Sequence, residues 1–173
     1  MNSIYHEWLV KRNRIFSDIV FRTLAILGCV VVPFIVSLLI AKFAPFFIFG
    51  SVVVFALMVW LAVVVFKRTN VEYEYKFLQD ELRIDKIMGQ SKRKRCATVN
   101  VGKVEFMAKE GDPELDSFEN LDYYVVDYSS RSDEDNKYVI FYKGEGQYAK
   151  VIIEPNDDIL KQFKYTAPNR VRI

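Results

Sequence analysis

Histidine occurs once, at His6, and cysteine twice, at Cys29 and Cys96. With so few of these side chains, most recognisable chemistry is missing. There is no Ser/His/Asp set, no Cys–His pair within one domain, no phosphate-binding glycine loop and no zinc-ligand spacing. The expectation is a protein that is not an enzyme and that carries no cofactor and no metal. The two cysteines lie in stretches of different character and are not expected to meet. A disulfide framework is therefore excluded, as suits a cytoplasmic domain.

A second absence is local. From Thr23 to Phe66 the chain has no Asp, Glu, Asn, Gln or His, and Lys42 is its one formal charge. Lys42 and Pro45 divide this stretch into Thr23–Ala41 and Phe46–Phe66, runs of 19 and 21 residues. As helices these reach about 28 and 32 Å, against a hydrocarbon core of about 30 Å. Neither run keeps the polar stripe of a soluble core helix. The expectation is a transmembrane hairpin whose reversal falls at Lys42–Pro45. A cleaved signal peptide fits less well, because no small-x-small pair precedes a cut near Ala41 or Ala44. The spans also lack the buried carboxylate, His or Arg that transport and voltage sensing require. They read as an anchor, with Pro33 as a mild bend.

Charge at the span ends sets the orientation. Lys11, Arg12, Arg14 and Arg22 precede the first span and Lys67 and Arg68 follow the second, while the reversal offers only Lys42. The positive-inside rule then places both termini in the cytoplasm of a multi-pass cell-membrane protein. Residues 1–22 mix Ile4, Tyr5, Trp8, Leu9, Ile15, Phe16, Ile19 and Val20 with Lys11, Arg12 and Arg14. At 100° per residue the apolar set falls on one face, so this segment is expected to be a basic amphipathic helix at the headgroups or a frayed tail.

After Lys67 the pattern alternates. Val71, Tyr73, Tyr75 and Phe77 point one way and Glu72, Glu74 and Lys76 the other, which predicts a half-buried strand. Further strands are expected at Leu82–Met88, Lys92–Val101, Val104–Ala108, Leu121–Tyr128, Lys137–Lys143 and Gln147–Glu154, with Lys109–Asn120 an acidic loop. Asn156 is a fair N-cap, Ile159, Leu160 and Phe163 make an apolar helical face, and Pro168 ends the helix. Residues 67–173 thus predict one cytoplasmic domain of about seven antiparallel strands and a C-terminal helix.

This order of elements resembles the pleckstrin-homology (PH) type of domain over roughly Asn70 to Pro168. The resemblance implies a split barrel capped by the helix; a closed barrel or lipocalin-like cup is the alternative. A membrane hairpin followed by such a domain resembles bacterial membrane-anchored PH-like proteins. The segment VEYEYKFLQDELRIDKIMGQSKRKR (Val71 to Arg95) is similar to a family of two-span proteins from Firmicutes with no established activity. Domains of this type often bind lipid headgroups or protein segments. Their phosphoinositide pattern lies in the first strand pair, where this chain has Glu72, Glu74, Asp80 and Glu81, so phosphoinositide binding does not carry over.

Lys92-Arg93-Lys94-Arg95 is the most pointed feature. Together with Arg83, Lys86 and Lys103 it gives residues 83–103 seven cations against one acid, Asp85. Residues 105–135 reverse this, with eleven acids against Lys109 and Arg131. The seven cations are the candidate surface for anionic lipid headgroups or for a membrane-protein partner. A solvated edge strand that discourages aggregation is the structural alternative. Nucleic acid is not expected, because stacking aromatics are lacking nearby and residues 67–173 carry 19 basic and 20 acidic groups. Asp112, Glu114 and Asp116 mimic the start of a calcium loop. Ser117 and Tyr123 stand where that template needs Gly and Glu, so a solvated acidic loop is expected. The function these features favour is a non-enzymatic interaction module anchored in the membrane. An accessory subunit of a transporter or cell-envelope enzyme is the alternative.

Overall fold

Tyr5–Lys11, expected in an amphipathic helix or a frayed tail, is a β-strand, β1. Seven residues with Tyr, Trp and Val suit either period, and here a partner strand far along the chain decides. In the computed structural model, which describes residues 5–43, 49–132, 136–144 and 146–173, β1 pairs antiparallel with β2 (Val71–Leu78). The register runs from Tyr5 opposite Leu78 to Lys11 opposite Glu72. Between these adjacent strands lie two helices, α1 (Phe16–Phe43) and α2 (Gly50–Thr69). The helical hairpin is thus an insertion in a strand-to-strand connection. It does not precede the β domain as a separate module.

The chain forms two compact units. The β unit takes in residues 5–13 as well as 72–87 and 92–173, where a domain of residues 67–173 was expected. Its strands continue as β3 (Glu81–Met88), β4 (Lys92–Asn100), β5 (Val104–Lys109), β6 (Tyr123–Asp127), β7 (Tyr138–Lys143) and β8 (Tyr148–Ile153). All seven strands expected from the sequence are present, and β1 makes the eighth among the described residues. One sheet, A, has the order β1-β2-β3-β4; the other, B, has the order β5-β7-β8-β6. β6 runs parallel to β8, where every pair was expected to be antiparallel. It precedes the β7–β8 hairpin in sequence and joins that hairpin's far side.

Helix α3 (Asp157–Thr166) follows the sequence expectation closely. The Asn156 side chain accepts the Ile159 N–H at 3.0 Å, capping the first turn. Ile159, Leu160 and Phe163 are buried, and the Phe163 ring meets Phe77 of β2 edge-on at 5.3 Å. Around them Leu82, Ile84, Met107, Ile140 and Ile153 complete a fully buried core. The acidic loop is partly ordered as a 3-10 turn, Pro113–Phe118, whose Leu115 packs into a second cluster with Ala108, Val139 and Phe141.

Tyr75 ties the sheets together. Its hydroxyl donates to the Tyr128 carbonyl at 2.7 Å and accepts from the Glu154 N–H at 3.2 Å. Burial pushes this phenol far above its ordinary value, and burial also raises Tyr128 and Tyr142 to about 12. A pKa raised on folding gives stability that is complete below the unfolded value of about 10 and is lost as pH rises beyond it. Denaturation midpoints are therefore expected to hold at neutral pH and fall between about pH 10 and 12. Tyr75→Phe should cost about 1–3 kcal/mol at pH 7 and make the alkaline fall shallower. An unchanged alkaline slope would contradict the assignment.

The helical unit comprises residues 14–71 and 88–91. Its helices have 28 and 20 residues, about 42 and 30 Å long. α1 starts seven residues before the run expected from composition, so Phe16–Arg22 is helical and continuous with that run. Residues 44–48, which hold part of the expected reversal and the expected start of the second span, lie outside the described residues. Both helices are long and apolar enough to cross a membrane, and none of the residues in either apolar window is buried. Thr23 and Ser37 satisfy their hydroxyls on the carbonyls of Ile19 and Phe34 within their own helix. Gly28 lies against Met58, where a Cβ would come within 3.0 Å of the methyl group. At the base, Arg22 donates to the Thr69 hydroxyl at 2.7 Å and its guanidinium covers the Phe66 ring at 5.0 Å. The Gly89 N–H in the β3–β4 turn bonds the Asn70 carbonyl at 2.9 Å. Gly89 has φ +57°, and a Cβ there would strike Lys67 at 2.8 Å, so the turn requires glycine.

Candidate interaction surface on the basic edge strand

β4 is an edge strand of sheet A, and the run Lys92-Arg93-Lys94-Arg95 opens it. Alternation along the strand sends its neighbouring side chains to opposite faces. The structure separates them chemically as well. Arg93 lies 3.4 Å from the carboxylate of Glu74, and Arg95 lies 3.5 Å from that of Asp85. Lys76 bridges the same two carboxylates, contacting Glu74 directly and Asp85 at 3.6 Å. Glu74 was expected on the solvated side of its strand. Its side chain is only 1% exposed beneath this lattice, in register with Leu9 of β1. A buried carboxylate needs such partners, because its desolvation is otherwise far too costly.

Lys92 and Lys94 are exposed, and among the described residues no carboxylate lies within 4.0 Å of either. Arg83 pairs with Glu81 at 3.2 Å in an exposed contact of little energetic weight. Lys86 is half-buried, and Lys103 is exposed at the end of a short 3-10 turn, Val101–Lys103. The seven expected cations therefore do not form one free patch. Three are engaged by carboxylates of their own sheet, and Lys92 and Lys94 are the free pair on the edge.

The acidic segment is also partly neutralised. Asp112 accepts the Glu114 N–H, and both carboxylates pair with Arg172. Asp116, Glu119 and Asp122 are exposed, and no cation among the described residues lies within 4.0 Å of them. No cluster of three metal-type ligands occurs among the described residues. His6 sits within β1 opposite Phe77.

A cleft of about 600 Å³ gave no sequence signal. Successive residues of β1, including Trp8, Leu9 and Lys11, line it together with Ser130, Glu154 and Asn156. The Glu154 carboxylate is held by the Ser130 N–H and hydroxyl at 3.0 and 2.8 Å. Only knowing that β1 is a strand of this sheet makes the cleft visible.

Two four-stranded sheets closed by a C-terminal helix are the layout of a PH-like domain. The family model described as "Bacterial PH-like domain (DUF6106)" matches residues 2–173, and the chain belongs to that family. That match takes in β1 and both helices as well as the β unit. No curated protein and no solved structure matches the chain. The strand pair taken above as the first, Val71–Met88, is the second and third. The connection between the true first pair is the helical hairpin.

Proposed function

We propose that this is a two-span membrane protein presenting a non-enzymatic PH-like interaction module on the cytoplasmic face. The observation that carries it is the pairing of β1 with β2 across the inserted hairpin. If α1 and α2 cross a bilayer, that pairing requires both ends of the hairpin to lie on one side. Lys11, Arg12, Arg14, Lys67 and Arg68 mark that side as cytoplasmic. Orientation is checked with Cys96, which is exposed, whereas Cys29 lies within α1. A membrane-impermeant maleimide is expected to label Cys96 only after cells are permeabilised. Labelling of intact cells would overturn the cytoplasmic placement.

The module's contact surface, on this reading, is the edge of β4, and the chemistry it recognises is anionic. Lys92 and Lys94 each add about 1 kcal/mol beside acidic headgroups. The test uses the full chain at one copy per nanodisc, in neutral or anionic phospholipid. Amide exchange in β4 is expected to slow in anionic discs alone. Lys92→Gln with Lys94→Gln should weaken that effect roughly thirty-fold, the equivalent of about 2 kcal/mol. Equal exchange in both discs would remove lipid as the ligand.

A further inference from the structure

Each sheet leaves an edge open, and the two open edges carry opposite charge. In sheet B, β5 is covered by the C-terminal residues: the Met107 N–H bonds the Arg170 carbonyl and the Arg172 N–H bonds the Met107 carbonyl, both at 2.8 Å. In sheet A, β1 is an edge as well, its chain held two residues beyond the strand by the Asn13 N–H on the Ser130 carbonyl at 2.6 Å, and it has no run of one charge. β4 and β6 have no cover like that of β5. Among the described residues their backbone ladders run to β3 and to β8 alone.

β4 opens with the free cations Lys92 and Lys94. β6 is preceded by the free carboxylates Asp116, Glu119 and Asp122. β6 itself, Tyr-Tyr-Val-Val-Asp, lacks the lysine, proline and bulge that usually guard an edge, and leaves Tyr124 45% and Val125 58% exposed.

We propose that β4 of one chain docks along β6 of a second copy, so that the protein assembles head to tail. This rests on β4 being an interaction edge and commits to its partner. Charge selects the pairing. Laid parallel, two β4 edges repel through their lysines and two β6 edges through their carboxylates, whereas β4 against β6 joins opposite signs. Both charged groups lie at the N-terminal ends of their strands, so the joined strands run parallel. With Lys92 facing Asp122, Cys96 falls opposite Val126. Such a contact uses two different surfaces, so it propagates into rings or chains and does not stop at a dimer. Anchoring in one membrane concentrates the copies.

The test uses the full chain in neutral-lipid vesicles, with Cys29→Ser and an added Val126→Cys, and mild oxidation read on a non-reducing gel. Strand neighbours sit about 5 Å apart, within reach of a disulfide. The expected result is a ladder of dimers, trimers and higher species that Cys96→Ser abolishes. Lys92→Glu with Lys94→Glu should reduce the ladder at least tenfold, and adding Glu119→Lys with Asp122→Lys should restore it. Tyr124→Cys and Val125→Cys cover a shift of register. The proposal is overturned by absence of a ladder at all three positions or by a ladder indifferent to charge reversal. A single dimer band that persists without Cys96 overturns it too. Exchange of β4 in single-copy anionic discs is a separate readout, so failure here leaves the lipid reading standing, and the reverse.

Discussion

A chain lacking residues 1–13 is expected to lose the cooperative unfolding of its β unit, even though everything from Lys67 onward is retained. β1 supplies a full strand to sheet A, pairs over seven positions and buries Val10. Without it β2 becomes an edge, its ladder is unmet on one side, and the cover over Glu74 opens beside Leu9. A net stability of about 5–15 kcal/mol does not survive loss of a strand. The informative comparison joins residues 5–13 to residues 70–173 through a short Gly/Ser turn in place of the helices. That chain is expected to be soluble and to unfold in one transition, because Lys11 and Glu72 already face each other. Equal stability of the two chains, read by chemical denaturation, would show that β1 is dispensable.

Phe163→Ala should be the most damaging single substitution in the core. The ring is fully buried, enters the core from α3 and meets Phe77 edge-on. Truncating a buried Phe to Ala removes its transfer free energy and leaves a cavity, together about 3–5 kcal/mol. In a unit of this size that corresponds to a melting temperature lower by roughly 12–25 °C. Phe163→Leu keeps most of the volume and should lose less than half as much. A loss under about 1 kcal/mol for Phe163→Ala would mean that α3 is not the plug of this core.

Local periodicity made much of this architecture legible. Alternating rows such as Leu82–Ile84 and Tyr148–Ile153 show as strands because every second residue is buried, Tyr123–Asp127 shows through its β-prone composition instead, and Asn156 announced α3 because a cap is a local device. The hairpin was visible from length and composition. Three features were hidden for one reason: their cause is a residue distant in sequence. β1 is a strand because β2 exists, Glu74 is buried because Arg93 and Lys76 cover it, and α1 is joined at its base to α2 because Arg22 reaches Thr69. The basic run was equally plain as a run. Alternation alone could not show that Arg93 and Arg95 meet Glu74 and Asp85, because that depends on how three strands align.

The pairing of Tyr5 with Leu78 has a consequence for how the protein is made. Once made, β1 has no partner until the chain has grown by at least 61 residues, from Lys11 to Glu72, with both helices in between. On the two-span reading, a nascent chain that inserts only one helix strands β1 and β2 in different compartments, and sheet A is never completed. Completion of the fold thus becomes a check on membrane insertion. Chains with the wrong topology are left with an open sheet and a half-covered Glu74.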